Sequence, residues 1–285
     1  MNKSILFLFF VNIFFLSACA QTDSESIENS IVEVEPTQEN VIFELDFDDA
    51  VQGQFTKQNL IEEGGSMRWV SFGNRANIVV DPNGETGNVL KVDYPKGTVG
   101  PQKNGVQFIK ELPASNEYYL DYYVYFEDGF DFRKGGKLPG LTSGGSTYTG
   151  GNHPDNGEGW SARYMWATRN AGVEALVYFY YIDMSSQYGD SVNSGVYFET
   201  GKWYRLTQRI KLNTDNLSNG IMQVWIDGVE VINNTDVRYR LWDKGDIDSF
   251  YFSTFHGGAT DDWAPQNDSF ALFDDFKVTK TKPVF

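Results

Sequence analysis

Across most of its length the chain alternates apolar and polar residues with a period of two, in runs separated by glycine, asparagine and aspartate turns. The clearest runs are 118–126, 173–182, 203–212, 221–226, 249–255 and 270–278. Successive strand side chains point to opposite faces, so the pattern demands sheets buried on one face. No long stretch holds a helical period. Asp227-Gly228, between Met222–Ile226 and Val229–Ile232, is a two-residue hairpin signal. Many such strands within one domain, without a repeat of fixed period, predict an all-β fold: a jelly roll, that is, a two-sheet antiparallel, concanavalin-like sandwich. By analogy with such folds, the aromatic-rich run 41–47 is expected to pair with 270–278.

The amino terminus has a different pattern. Met1-Asn-Lys3 is a short basic start, Ile5 to Leu16 is almost wholly apolar, and Leu16-Ser-Ala-Cys19 ends in small residues before a cysteine. The apolar run is short for a permanent membrane span. Residues 1–19 therefore read as a signal peptide, and Leu-Ser-Ala-Cys resembles the bacterial lipobox, in which cleavage leaves the cysteine as the lipid-bearing terminus. An ordinary secretory signal is the alternative. Either places the protein in the cell envelope, as an outer-membrane-anchored lipoprotein, or outside the cell. Cys19 is the only cysteine in 285 residues, so no internal disulfide forms. Residues 20–40 are rich in Ser, Glu, Thr, Asp and Asn and form a disordered tether. Residues 41–285 form a single domain, whose core draws on a composition of 41% hydrophobic and 16% aromatic residues.

The formal charge is −16, and removing residues 1–18 takes away only Lys3, leaving 22 basic against 39 acidic residues, or −17. Nucleic acid is excluded as a partner, because its binding rests on neutralising phosphates. A polyanionic sugar chain meets the same objection unless the basic groups gather in one cleft, since exposed charges are screened beyond about 10 Å.

Strand faces show how they could gather. In the run from Val173, the residues Val173, Ala175, Val177, Phe179 and Tyr181 form a core face, which turns Tyr178 and Tyr180 to the other side. In Trp160–Trp166 the bulky set Trp160, Ala162, Tyr164 and Trp166 leaves Ser161 and Arg163 on the non-core face. In 203–212, Tyr204, Leu206, Ile210 and Leu212 oppose Arg205, Thr207, Arg209 and Lys211. If the three strands are neighbours, they line a basic, tyrosine-rich groove. Lys137, in the glycine-rich loop Gly135-Gly-Lys-Leu-Pro-Gly-Leu141, would join it.

The ordered set Lys-Leu-Pro-Gly-Leu, Gly-rich loop, Trp-Ser-Ala-Arg-x-Met-Trp, Tyr-x-Tyr, Gly-x-Trp, Leu-Asn-Thr, Trp-x-Asp-Gly and Phe-Asp-Asp-Phe resembles the alginate and glucuronan lyases of polysaccharide lyase families 14 and 20. The resemblance runs from about Tyr118 to Val278. It implies a β-jelly roll that cleaves an acidic uronate polysaccharide by β-elimination, as a monomer and without an organic cofactor. It marks Lys137, Arg163, Tyr178 and Tyr180 as catalytic, with Tyr180–Tyr181 as an alternative tyrosine pair. Ser161, His153, Arg205 and Arg209 are the substrate-binding candidates. The membrane is met only through the lipid at Cys19.

Those residue types suit the chemistry. The C5 proton of a uronate is a poor acid while the neighbouring carboxylate is charged, so a cation must neutralise it. The planar fork of Arg163 fits a carboxylate. A base must remove the proton and an acid must protonate the departing O4. Either tyrosine, or Lys137 desolvated in its loop, could be the base. His153 and His256 lack ligand-spaced partners for a transition metal, whereas Asp46-Phe-Asp-Asp49 and Asp274-Asp275 could hold a structural calcium or be ordinary turn carboxylates. The rival functions are a non-catalytic carbohydrate-binding module and a jelly-roll glycoside hydrolase. For the latter, Glu44-Leu-Asp-Phe-Asp-Asp49 only approximates the strand motif.

Overall fold

A computed structural model describes residues 40–84 and 87–285. The signal peptide, Cys19 and residues 20–39 of the tether lie outside the described residues. The alternating runs form strands, which in chain order are β1 (Val41–Leu45), β2 (Gly53–Gln54), β3 (Trp69–Ser71), β4 (Ala76–Val80), β5 (Asn88–Tyr94), β6 (Val106–Ser115), β7 (Glu117–Phe126), β8 (Gly135–Ser143), β9 (Trp160–Arg169), β10 (Gly172–Tyr180), β11 (Asp190–Phe198), β12 (Trp203–Lys211), β13 (Gly220–Ile226), β14 (Val229–Val237), β15 (Ile247–His256) and β16 (Ser269–Thr279). A short helix, α1 (Lys57–Gly64), is capped reciprocally by Thr56 and Asn59.

Two antiparallel sheets result, a jelly roll as expected. One has nine strands in the order β14-β13-β12-β7-β16-β5-β4-β2, with β1 also on β16, and the other has seven in the order β11-β10-β9-β8-β15-β6-β3. The predicted pairing of first and last strands is present: β5 holds one half of β16, and β1 takes over from Leu45↔Phe276 to Val41↔Thr279. At the β13–β14 hairpin, Asp227 and Gly228 both have left-handed backbone (φ 50° and 78°), as a primed two-residue turn requires.

Alternation fills the space between the sheets. Trp160, Ala162, Tyr164 and Trp166 of β9 and Ala175, Val177 and Phe179 of β10 are buried with Tyr204, Leu206 and Ile210 of β12. Their polar tips are satisfied, since Tyr164 OH donates to the Thr207 carbonyl (2.8 Å) and Trp166 Nε1 to that of Phe132 (3.0 Å).

Two expectations are corrected. Gly135–Leu141 is not a loop but most of β8, a central strand. Its proline is tolerated because the register with β9 shifts between Lys137 and Gly140. The 203–212 strand does not neighbour β9 and β10, because β12 belongs to the other sheet, between β7 and β13.

Candidate active site

On the outer face of the seven-stranded sheet, cross-strand register decides which side chains of β8, β9 and β10 meet. Lys137 opposes Met165, Gly140 opposes Arg163, Tyr178 opposes Arg163, and Tyr180 opposes Ser161. Gly140 permits the close approach of β8 to β9, because a Cβ there would lie 2.2 Å from the Ala162 carbonyl oxygen.

Lys137 is 8% exposed. Its Nζ donates to Met165 Sδ at 3.0 Å and lies 3.3 Å from the centre of the Tyr178 ring. A thioether and a ring face are poor substitutes for water around an ammonium. Burial, and after it the neighbouring Arg163 charge, holds this amine well below the ordinary lysine range.

Arg163 is 3% exposed, donates one Nη1–H to Ser253 Oγ (3.1 Å) and lies 5.3 Å from the Tyr251 ring centre. Its Nε is buried without a hydrogen-bond partner. Burial lowers its pKa and the surrounding tyrosines oppose that shift, but a guanidinium stays charged at working pH. Among the described residues, neither Lys137 nor Arg163 makes an ion pair, whereas Arg169, Arg205 and Arg209 all meet carboxylates. The buried Arg163 guanidinium beside the Lys137 amine therefore leaves room for an anion that the described residues do not supply.

Tyr180 is fully buried; its hydroxyl accepts from the Gly151 N–H (3.0 Å) and lies 3.5 Å from that of Tyr178. Desolvation first, then Tyr180, pushes the Tyr178 phenol above its ordinary pKa despite Arg163, so it stays protonated. Tyr181 instead stacks on core-facing Phe179, at 4.3 Å between ring centres, so Tyr178 and Tyr180 are the tyrosines that share the site face.

The other sequence candidates have different surroundings. Ser161 donates to the Tyr148 carbonyl (2.7 Å), anchoring the β8–β9 loop above the site. His153, in that loop, bonds through Nε2 to the Gln187 carbonyl (2.8 Å) and ties it to the β10–β11 loop. Arg205 and Arg209 are not in the groove. They point outward from the other sheet, onto Asp121 (2.8 Å) and Glu117 (2.7 Å), which overturns the third basic strand expected beside β9 and β10. His256 points into the core, bonded through Nε2 to the Asp131 carbonyl (2.7 Å), and burial lowers its pKa to about 4. Among the described residues no three His, Cys, Asp or Glu side chains are grouped to hold a metal.

Three residues that sequence reasoning missed complete the cluster. Gln107 of β6 donates to Tyr251 OH and to Ser253 Oγ (2.8 Å), and Ser253 in turn accepts from Arg163. Period two along 249–255 separates Ser249, Tyr251 and Ser253 from the core residues Phe250 and Phe252, but only register places them beside β8. A depression of about 530 Å³, lined by Phe132, Arg133, Lys134, Thr168, Val173 and Asp262, lies toward the β9–β10 turn and not over the two cations.

The comparisons with known proteins bear on the fold and the family. No curated protein matches the chain significantly. Among solved structures, alginate lyase Aly36B is 27% identical with a TM-score of 0.73, over 85% of this chain and 98% of that one. The PL-14 alginate lyase from Aplysia kurodai (23%, TM-score 0.70, 85% and 99%) and alginate lyase vAL-1 from Chlorella virus (22%, 0.67, 85% and 100%) share the fold. The family model for polysaccharide lyase 14 matches residues 82–276, spanning β8, β9, β10 and every residue of the buried-cation cluster. The chain belongs to polysaccharide lyase family 14 and is a jelly-roll lyase of uronate polysaccharides.

Proposed function

We propose that the domain cleaves alginate, with Lys137 as the base and Tyr178 as the acid. The observation that carries this is the buried Lys137 amine beside the buried Arg163 guanidinium, neither of which meets a carboxylate among the described residues. Arg163 receives the uronate carboxylate and offsets the negative charge that grows at C5. The neutral Lys137 amine takes the C5 proton, and the C5–H electrons become the C4–C5 double bond. The C4–O4 bond breaks, and O4 leaves with the Tyr178 phenolic proton. A proton passing from the Lys137 ammonium to the Tyr178 phenolate, directly or through solvent, restores both groups. Tyr180 holds the Tyr178 hydroxyl, Ser161 and His153 hold the covering loops, and Gln107 and Ser253 orient Arg163.

Two structures of the Aly36B relative support the substrate and the lysine. A lysine/tyrosine double mutant holds an alginate tetrasaccharide, and a lysine/methionine double mutant holds a trisaccharide. That lysine and methionine are 28 positions apart, as are Lys137 and Met165. The segment 16–19 supports export as a lipoprotein anchored through Cys19.

Incubation with mannuronate-rich alginate, guluronate-rich alginate and glucuronan tests the reading. Ultraviolet absorbance from a C4–C5 double bond, strongest on an alginate, is the expected result. New reducing ends without that absorbance, or binding without cleavage, would overturn it.

A further inference from the structure

The segment that follows β15 returns over the same outer sheet face and ends in a single 3-10 turn, Asp261–Trp263. Trp263 packs against the buried cluster Met165, Ala167 and Leu176, on which Tyr178 also packs. Its seat is built by glycines. Gly258 has left-handed backbone (φ +83°), and a Cβ there would come within 2.4 Å of the indole; a Cβ on Gly135 would lie 3.4 Å from it. The turn is held from β8's side, since Lys134 pairs with the Asp262 carboxylate, Arg133 donates to the Asp262 carbonyl (3.1 Å), and Lys134 Nζ lies 5.8 Å from the indole centre. Met165, Ala167 and Leu176 are buried beneath, while Trp263 keeps part of its ring open.

We propose that Trp263 is a sugar-stacking platform, binding the uronate unit next to the one that reacts at Lys137; this rests on the elimination reading above. Gly135 and Lys137 face the same way two residues apart on β8, a separation of roughly 7 Å along a strand. The indole thus lies about one step along the groove from the base. A half-buried indole held in place by its neighbours matches the C–H face of a pyranose. Core packing alone does not account for a tryptophan whose ring remains partly in solvent and whose place is kept clear by a left-handed glycine.

The test uses the purified domain and unsaturated alginate oligosaccharides from trimer upward, together with the polymer. Trp263→Ala should lower kcat/KM by roughly 3- to 10-fold on chains long enough to reach the platform, the size of one aromatic contact. The shortest cleaved oligomer should be unaffected. Trp263→Leu keeps apolar contact with Met165 and Leu176, so it decides the matter if the alanine variant melts early. Gly258→Ala, which displaces the ring, should reproduce the length-dependent loss. Equal loss at every chain length, or none at any, would overturn the platform. Absence of unsaturated product from the unsubstituted enzyme on every polyuronate would instead sink the elimination reading itself.

Discussion

Arg163 gives the sharpest separation between a catalytic and a structural account of the site. Replacing it with methionine supplies an unbranched apolar chain out to about the position of Nε and removes a cation that is 3% exposed, has one side-chain hydrogen bond and, among the described residues, has no carboxylate partner. Exchange of a buried charge for a packed apolar group tends to stabilise a fold, here by about 1 kcal/mol at the lower end of the known range. For a domain of this size that corresponds to a rise in Tm of about 2–4 °C. Ser253 keeps its bond from Gln107, so the deletion leaves no new buried orphan there. In the substrate complex the effect reverses, because the uronate carboxylate then loses a buried partner, at about 3–5 kcal/mol, or roughly 10²- to 10⁴-fold in kcat/KM. The same change relieves the repulsion on Lys137 and moves the acid limb of the pH–rate profile upward. Thermal melts and the ultraviolet assay read both effects on one preparation. A variant that melts several degrees lower and still cleaves alginate at the normal rate would refute the reasoning, since Arg163 would then be a structural residue.

Other substitutions probe the remaining groups. Tyr178→Phe should lower kcat by about 10²- to 10⁴-fold, the usual contribution of a general acid, with the melting temperature held; circular dichroism melts and single-turnover absorbance check both halves. Arg205→Ala should leave kcat/KM within about two-fold yet destabilise the domain by about 2 kcal/mol, because the Asp121 carboxylate, buried on the far sheet, keeps the Thr207 hydroxyl but loses its cation; urea unfolding measures this. Lys137→Met should stabilise the domain at neutral pH, and that advantage should shrink as pH rises toward the unfolded lysine value near 10.4. The sign follows from the depressed folded pKa: between the folded and unfolded values the unfolded chain binds more protons, so native stability rises with pH there.

Much of the site was legible because strand period reports faces. Alternation along Trp160–Trp166 and Val173–Tyr181 already put Ser161, Arg163, Tyr178 and Tyr180 away from the core, and the sheet register then brought them together. Period says nothing about which sheet a strand joins. The stripe Arg205, Arg209 and Lys211 has the same pattern as a groove strand, yet its partners are β7 and β13. Lys137 was picked out from its motif, but the strand that carries it was hidden, since Gly135, Gly136, Pro139 and Gly140 mimic a loop when they in fact allow a strand to lie tight against β9. Gln107, Tyr251 and Ser253 depend on pairings more than 140 residues apart, which no local pattern encodes.

The most direct test of Lys137 as the base is its own titration. Lysines labelled at Cε can be followed by NMR from neutral to alkaline pH, with Lys137→Met identifying the resonance, beside the pH dependence of kcat/KM on alginate. The account predicts one lysine that titrates well below the others and below 10.5, with the acid limb of kcat/KM following the same transition. A Lys137 resonance that titrates with the surface lysines, in an enzyme already fully active at neutral pH, would contradict it.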